Sequence, residues 1–202
     1  MLDDLGSTSW HNRHFGPFAR LNELLTEAGV ARPSIMIVGP GGVSRWLAPL
    51  LNNSAADSSF VRKTIGDLAR YSDQVLRRFP FVPLVSLEPL EVRETMLMPH
   101  DLTVVDRSAR LLEAVRRDIP EAITHVVDLG LNAPPARADV VIAFNIVSRL
   151  DDRAADGINH LLTVLRGGGW LLIDDRSAKA HLANNPRVTQ VAPKTHRVEA
   201  AV

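Results

Sequence analysis

Five short apolar runs, each ending at glycine, aspartate or asparagine, constrain this chain more than any other feature of its sequence. They are Ile35–Val38, Leu102–Val105, His125–Val127, Val140–Phe144 and Trp170–Ile173, followed by Gly39, Asp106, Asp128, Asn145 and Asp174. Ile35-Met36-Ile37-Val38 is apolar throughout, as in strands buried on both faces. Most of the runs are separated by helical periodicity. Strands joined in this way need crossover connections, and hence a mainly parallel sheet with helices packed on it.

The helices follow from spacing. Phe18, Leu21, Leu24, Leu25 and Ala28 recur at three- and four-residue intervals after Pro17, and Gly29 supplies a stop. Val43 to Leu51 and Ala109 to Arg117 read as helices, as does the segment from about Asp152 to Leu165, closed by Gly167-Gly168-Gly169. Phe60, Ile65, Leu68, Val75, Leu76 and Phe79 predict an amphipathic helix with Arg62, Lys63, Arg70, Arg77 and Arg78 outward. Two alternating runs in the tail, Val188–Val191 and His196–Val202, flank Pro193-Lys194 and predict a terminal hairpin, joined to Asp175 by only a short link. With no repeat or low-complexity linker, one domain over 1–202 is expected. Residues 1–33 form its N-terminal segment and helix, and 52–99 form a helical insertion placed to cover a substrate.

Composition excludes several classes. Lysine plus arginine and aspartate plus glutamate both number 23, so net charge gives no electrostatic case for a nucleic-acid partner. Cysteine is absent, which removes disulfides and thiolate metal sites and fits a reducing compartment. Met1-Leu2-Asp3-Asp4 is not the start of a secretory signal, and no stretch reaches the roughly 20 apolar residues that span a bilayer. A cytoplasmic protein without membrane or metal is the expectation.

In an open parallel sheet the ligand lies beyond the carboxyl ends of the strands. Gly39-Pro40-Gly41-Gly42 offers close backbone approach and a helix N-terminus for an anionic group. Asp106, after the second run, can accept hydrogen bonds from both hydroxyls of a ribose; Asp128, after the third, can accept from an exocyclic amine. Each has a plainer alternative, Asp106 as a cap for the helix from Ser108 onward and Asn145 as a cap for its own turn. Asp174-Asp175 suit a substrate, a metal or solvent.

At these residues the chain resembles the Rossmann-like (class I) S-adenosylmethionine (SAM)-dependent methyltransferases, over roughly Ser34 to Asp175. Ile35 to Gly42 is similar to the family's glycine-rich first motif, Leu102 to Asp106 to the second, and Val126-Val127-Asp128-Leu129 to the third. Ala138 to Asn145 resembles the fourth, and Leu165 to Ile173 the fifth. The resemblance implies SAM as cofactor, contacted by Gly39, Pro40, Gly41, Asp106, Arg107, Asp128, Leu129 and Asn145. It departs from the pattern at Ile37, where the family has an acid, and at Val43, where it has a glycine; Pro40 lacks an N–H. These departures motivate the alternative of a non-catalytic methyltransferase-like protein acting through a partner. A nicotinamide-dependent oxidoreductase would want glycine where Ser44 stands.

The family's aromatic-proline signature for planar nitrogen acceptors is replaced by Asn145-Ile146-Val147-Ser148, which favours a small-molecule acceptor. A general base is needed only if the acceptor must lose a proton. His100 and His125 precede their strands and belong at the far end of the sheet, while His160 falls on the polar side of its helix. His196 lies in the hairpin, and His181 follows the fifth strand closely. His11 and His14, within Trp10-His11-Asn12-Arg13-His14-Phe15, are the remaining candidates, with a surface or capping role as their alternative.

Overall fold

The computed structural model describes residues 15–40, 100–144, 146–173 and 176–200. Helix α1 (Phe15–Glu27) leads into β1 (Ser34–Val38), and β2 (Asp101–Asp106) is followed by α2 (Ala109–Asp118). Then come β3 (Ile123–Val126), β4 (Ala138–Ala143) and two 3-10 turns, Val147–Arg149 and Asp151–Arg153. Helix α3 (Ala154–Val164), β5 (Leu165–Ile173), α4 (Arg176–Ala183), β6 (Val188–Ala192) and β7 (Thr195–Val198) complete the described elements. The segment between β1 and β2, with its expected helices, lies outside the described residues, as do residues 1–14.

The strands form one sheet in the order β3-β2-β1-β4-β5-β7-β6. β1 to β5 pair in parallel, and β7 runs antiparallel to both β5 and β6. The α/β sheet with a terminal hairpin is the architecture that the apolar runs imply.

Strand periodicity divides the core. Ile35, Ile37, Val104, Val140, Ile142 and Leu172 point to the side covered by Leu21 and Leu25 of α1 and by Leu112 and Val115 of α2. Met36, Val38, Val105, Val141, Ala143 and Leu171 point to the other, against Ile158, Leu161 and Leu162 of α3 and Ala178 and Leu182 of α4. Alternate residues of a strand face opposite sides, so an unbroken apolar run serves two cores at once. Ile37 is fully buried in the first of them, which explains an apolar residue there.

Local chemistry ends α1 where the sequence stops it. Gly29 takes φ +70°, and the Val30 N–H donates to the Leu25 carbonyl at 2.9 Å, the glycine-terminated helix end in which a left-handed residue turns the chain. Ser108 caps α2 by accepting the Leu111 N–H at 3.4 Å.

Three expectations need correction. The third strand is Ile123–Val126, so His125 lies within it, paired with Val105, rather than ahead of it. Gly167-Gly168-Gly169 does not close α3, which ends at Val164; the glycines belong to β5. Ladder register jumps there from Ala138↔Leu165 to Val140↔Trp170, and a Cβ on Gly169 would come within 2.8 Å of the Asp139 carbonyl oxygen. The glycines let β5 bulge past β4. The tail also holds α4, a helix rather than a short link, whose buried Ala178 and Leu182 are four residues apart. His181 sits on its exposed side.

The amino end of the sheet is tied by Asp139. Its Oδ2 accepts the Ser34 N–H at 2.8 Å, and both oxygens accept from Arg166 Nη1 at 3.0 and 2.9 Å. One carboxylate thus joins the starts of β1, β4 and β5. Asp139→Ala is expected to destabilise the fold by about 1–3 kcal/mol, measured by urea denaturation; an unchanged midpoint would show that the tie is dispensable.

Candidate functional site

The carboxyl ends of β1 and β2 bring the glycine turn and the first acid together. Val38 is paired with Val105, and one residue further the Gly39 N–H donates to the Val105 carbonyl at 2.8 Å. Gly39 therefore lies beside Asp106. Its φ is +64°, a conformation that favours glycine. A Cβ there would also overlap Ile146 Cδ1. What approaches the Gly39 backbone is thus the Ile146 side chain, from the segment after β4. No local pattern in the sequence signals this Ile146 contact. Gly41, Gly42, Val43 and Asn145 lie outside the described residues, as do His11, His14 and Asp174-Asp175.

Asp106 is 9% exposed, one of the few buried polar residues described. Its Oδ1 accepts the Ser108 N–H at 2.8 Å. Burial pushes its carboxyl above the ordinary carboxylate value, against the opposing effects of the Ser108 hydrogen bond, the Arg107 charge and amide, and the Arg149 charge. Burial penalises the anion, and the local donors do not fully offset it. Asp106 does contact the start of α2, as its capping alternative supposes, although Ser108 itself supplies the N-cap. Arg107 is exposed.

The second acid lies two residues beyond β3. Asp128 Oδ1 accepts the Gly130 N–H at 3.0 Å, and Oδ2 stands 3.6 Å from Arg153 Nη1. The Asp128 carbonyl receives the N–H groups of Leu131 and Asn132 at 3.0 and 2.9 Å. The Val127 N–H donates to the Asp106 carbonyl at 2.9 Å, so the backbone leading to Asp128 is tied to Asp106. Leu129 is buried, and its carbonyl lies 2.7 Å from His160 Nδ1. A carbonyl only accepts, so Nδ1 carries the proton. His160 is accordingly half-buried and engaged, not a solvated residue on a polar helix face.

Gly39, Pro40, Asp106, Arg107, Asp128 and Leu129 all lie at one end of the parallel sheet, on its three neighbouring strands β1, β2 and β3. His100, by contrast, stands at the entry to β2, at the far end. With its strand order β3-β2-β1-β4-β5-β7-β6 and antiparallel β7, the chain is similar to a solved N-methyltransferase, NodS from Bradyrhizobium japonicum bound to S-adenosylhomocysteine. The match has a TM-score of 0.51 at 11% identity, over 96% of this chain and 89% of NodS. The chain has the fold of the Rossmann-like SAM-dependent methyltransferases.

A SAM-bound amino pentose methyltransferase from Micromonospora echinaspora is also similar at 14% identity, TM-score 0.44, over 83% of this chain and 51% of that one. A putative methyltransferase from Bacillus halodurans gives 13% and 0.45 over 80% and 50%. No family model and no curated protein matches the sequence. Among the described residues no helix is long and apolar enough to cross a membrane, and no three His, Asp or Glu side chains gather as metal ligands.

In this methyltransferase fold the buried Asp106 carries a stability consequence. A carboxyl raised above its ordinary value of 3.8 supports the fold while protonated, and that support is lost as pH rises through the raised value. At pH 7 the anion is therefore a burden on the ligand-free protein. Asp106→Asn, which still accepts from Ser108, is expected to raise the melting temperature at pH 7, with the gain shrinking as pH falls toward 3.8. A variant that melts lower than the parent at pH 7 would refute this.

Proposed function

We propose that the chain is a SAM-dependent methyltransferase acting on a small-molecule acceptor. The observation that carries this reading is the buried Asp106 carboxylate, set by strand register beside the left-handed Gly39. A buried carboxylate short of donors can be satisfied by neutral hydroxyls without burying a second charge, and a vicinal diol offers two. Asp128, two residues beyond β3, retains acceptor capacity for an exocyclic amine beyond its bonds to Gly130 and Arg153. This donor and acceptor chemistry fits a nucleoside, with the ribose at Asp106 and the adenine toward Asp128 and the Leu129 backbone.

The bound cofactor would supply an activated methyl group on its sulfonium. The protein's part is to hold donor and acceptor in line, which can account for much of the rate. Gly39, Pro40 and Gly41 would carry the methionine side of the cofactor, Arg107 and Asn145 its flanks. Residues 1–15 and 52–99 would select the acceptor. Balanced charge, 23 basic against 23 acidic residues, favours a small acceptor over nucleic acid. A cytoplasmic setting belongs to the same reading.

A second reading, a non-catalytic relative acting through a partner, draws on Ile37. Its side chain is entirely consumed by the core, leaving that position without a polar anchor. Calorimetric titration separates the two. The leading reading expects SAM and S-adenosylhomocysteine to bind, and Asp106→Ala to weaken both at least about tenfold, the loss of one or two charge-assisted hydrogen bonds. Absence of binding at millimolar cofactor, or unchanged affinity in the variant, would contradict it.

A further inference from the structure

The loop that carries Asp128 is gripped from one side of α3. Arg153, at the N-cap of α3, Gly157 and His160 are spaced i, i+4, i+7 and so share a helix face. Each meets the loop. Arg153 approaches Asp128 Oδ2 and lies against Gly130, where a Cβ would be 3.1 Å from Nε and 3.2 Å from Cζ. Gly157 is buried, and a Cβ there would come 3.7 Å from Leu129 Cγ and collide with Leu150. His160 donates to the Leu129 carbonyl at 2.7 Å.

The two oxygens of Asp128 are thereby fixed in different ways. Oδ1 is held by the backbone of its own loop, which keeps the carboxylate near the strand end. Oδ2 faces a guanidinium carried by another element, at 3.6 Å. A Cβ at Gly130 would press on the Arg153 side chain, which would have to give by a few tenths of an ångström.

We propose that Arg153 is a positioning residue for base selectivity, holding Asp128 so that it accepts from a 6-amino purine and rejects a 6-oxo purine. This rests on the reading that the cleft binds a SAM-type nucleoside. An oriented carboxylate gains a hydrogen bond from the adenine amine and meets a repulsive oxygen in hypoxanthine, because both groups are then acceptors. A carboxylate free to rotate turns away from the oxygen and discriminates less. His160 supports the same geometry by fixing the Leu129 backbone. Arg153 is 39% exposed on its side chain, so replacing it leaves the core intact.

The test is calorimetric titration of the full chain with S-adenosylhomocysteine and with S-inosylhomocysteine. The parent is expected to prefer the adenosyl ligand. Arg153→Ala is expected to reduce that preference about tenfold, the scale of one hydrogen bond to a charged group. Arg153→Lys, which keeps the charge but not the guanidinium contact with Gly130, is expected to retain part of it. If Arg153→Ala weakens both ligands equally, the role is structural and the proposal is overturned. An unchanged preference overturns it too. A parent that binds neither ligand overturns the nucleoside reading itself, and this inference with it.

Discussion

Strand β1 lies between β2 and β4 with both faces covered, and Ile35, Met36, Ile37 and Val38 are each between 0 and 4% exposed. Burying an aliphatic side chain of this size contributes roughly 1.5–3 kcal/mol, so the register of this one strand is strongly determined. A slip by one residue would exchange the two sets of side chains between the two cores. Everything at the carboxyl end depends on that register. It sets Gly39 against the Val105 carbonyl and therefore beside Asp106, and the continued pairing of β2 with β3 ties the path to Asp128.

The two ends of the sheet use charge differently. At the amino end, Arg32 and Asp101 pair at 2.7 Å, and Asp139 is satisfied by Ser34 and Arg166. These groups are consumed by structure. At the carboxyl end Asp106 is buried with its pKa raised, so its donors fall short of what its charge requires. A carboxylate kept in that condition lowers the stability of the free protein and is suited to a ligand that brings donors. The same fold thus separates tying from binding along the strand direction, and in β1 the residues between the two ends, Ile35 to Val38, are apolar.

Much of the fold was legible because strands buried on both faces leave unbroken apolar runs, and because α1 and α2 carry strong periodicity with a glycine stop or a serine cap. Three misreadings share a cause: the deciding contact is remote in sequence. Gly167-Gly168-Gly169 looks like a helix terminus until Asp139 is placed against Gly169. Among the described side chains of α4, Ala178 and Leu182 are the buried ones, which leaves a weak signal. His160 looks solvent-facing until the Leu129 carbonyl arrives from 31 residues earlier. The strand-end position of Asp106 was legible from the apolar run before it, whereas Asp128 lies two residues beyond β3 rather than at its end. The roles of Ile146 and Arg153 were not legible, because neither belongs to a strand end and each acts on a glycine whose partner no local pattern reveals. A basic residue four and seven places before Gly157 and His160 on one face is the trace that Arg153 leaves in the sequence, and without the loop it has no meaning.

The claim on which the account turns is that Asp106 is a ribose acceptor set in place by β1. A crystal structure of the chain with S-adenosylhomocysteine tests it most directly. The expected result is a ligand at the carboxyl ends of β1, β2 and β3, with the Asp106 carboxylate accepting from both ribose hydroxyls. A nucleoside bound elsewhere, or seated there with Asp106 still engaged only by Ser108 and its neighbours, would contradict the account.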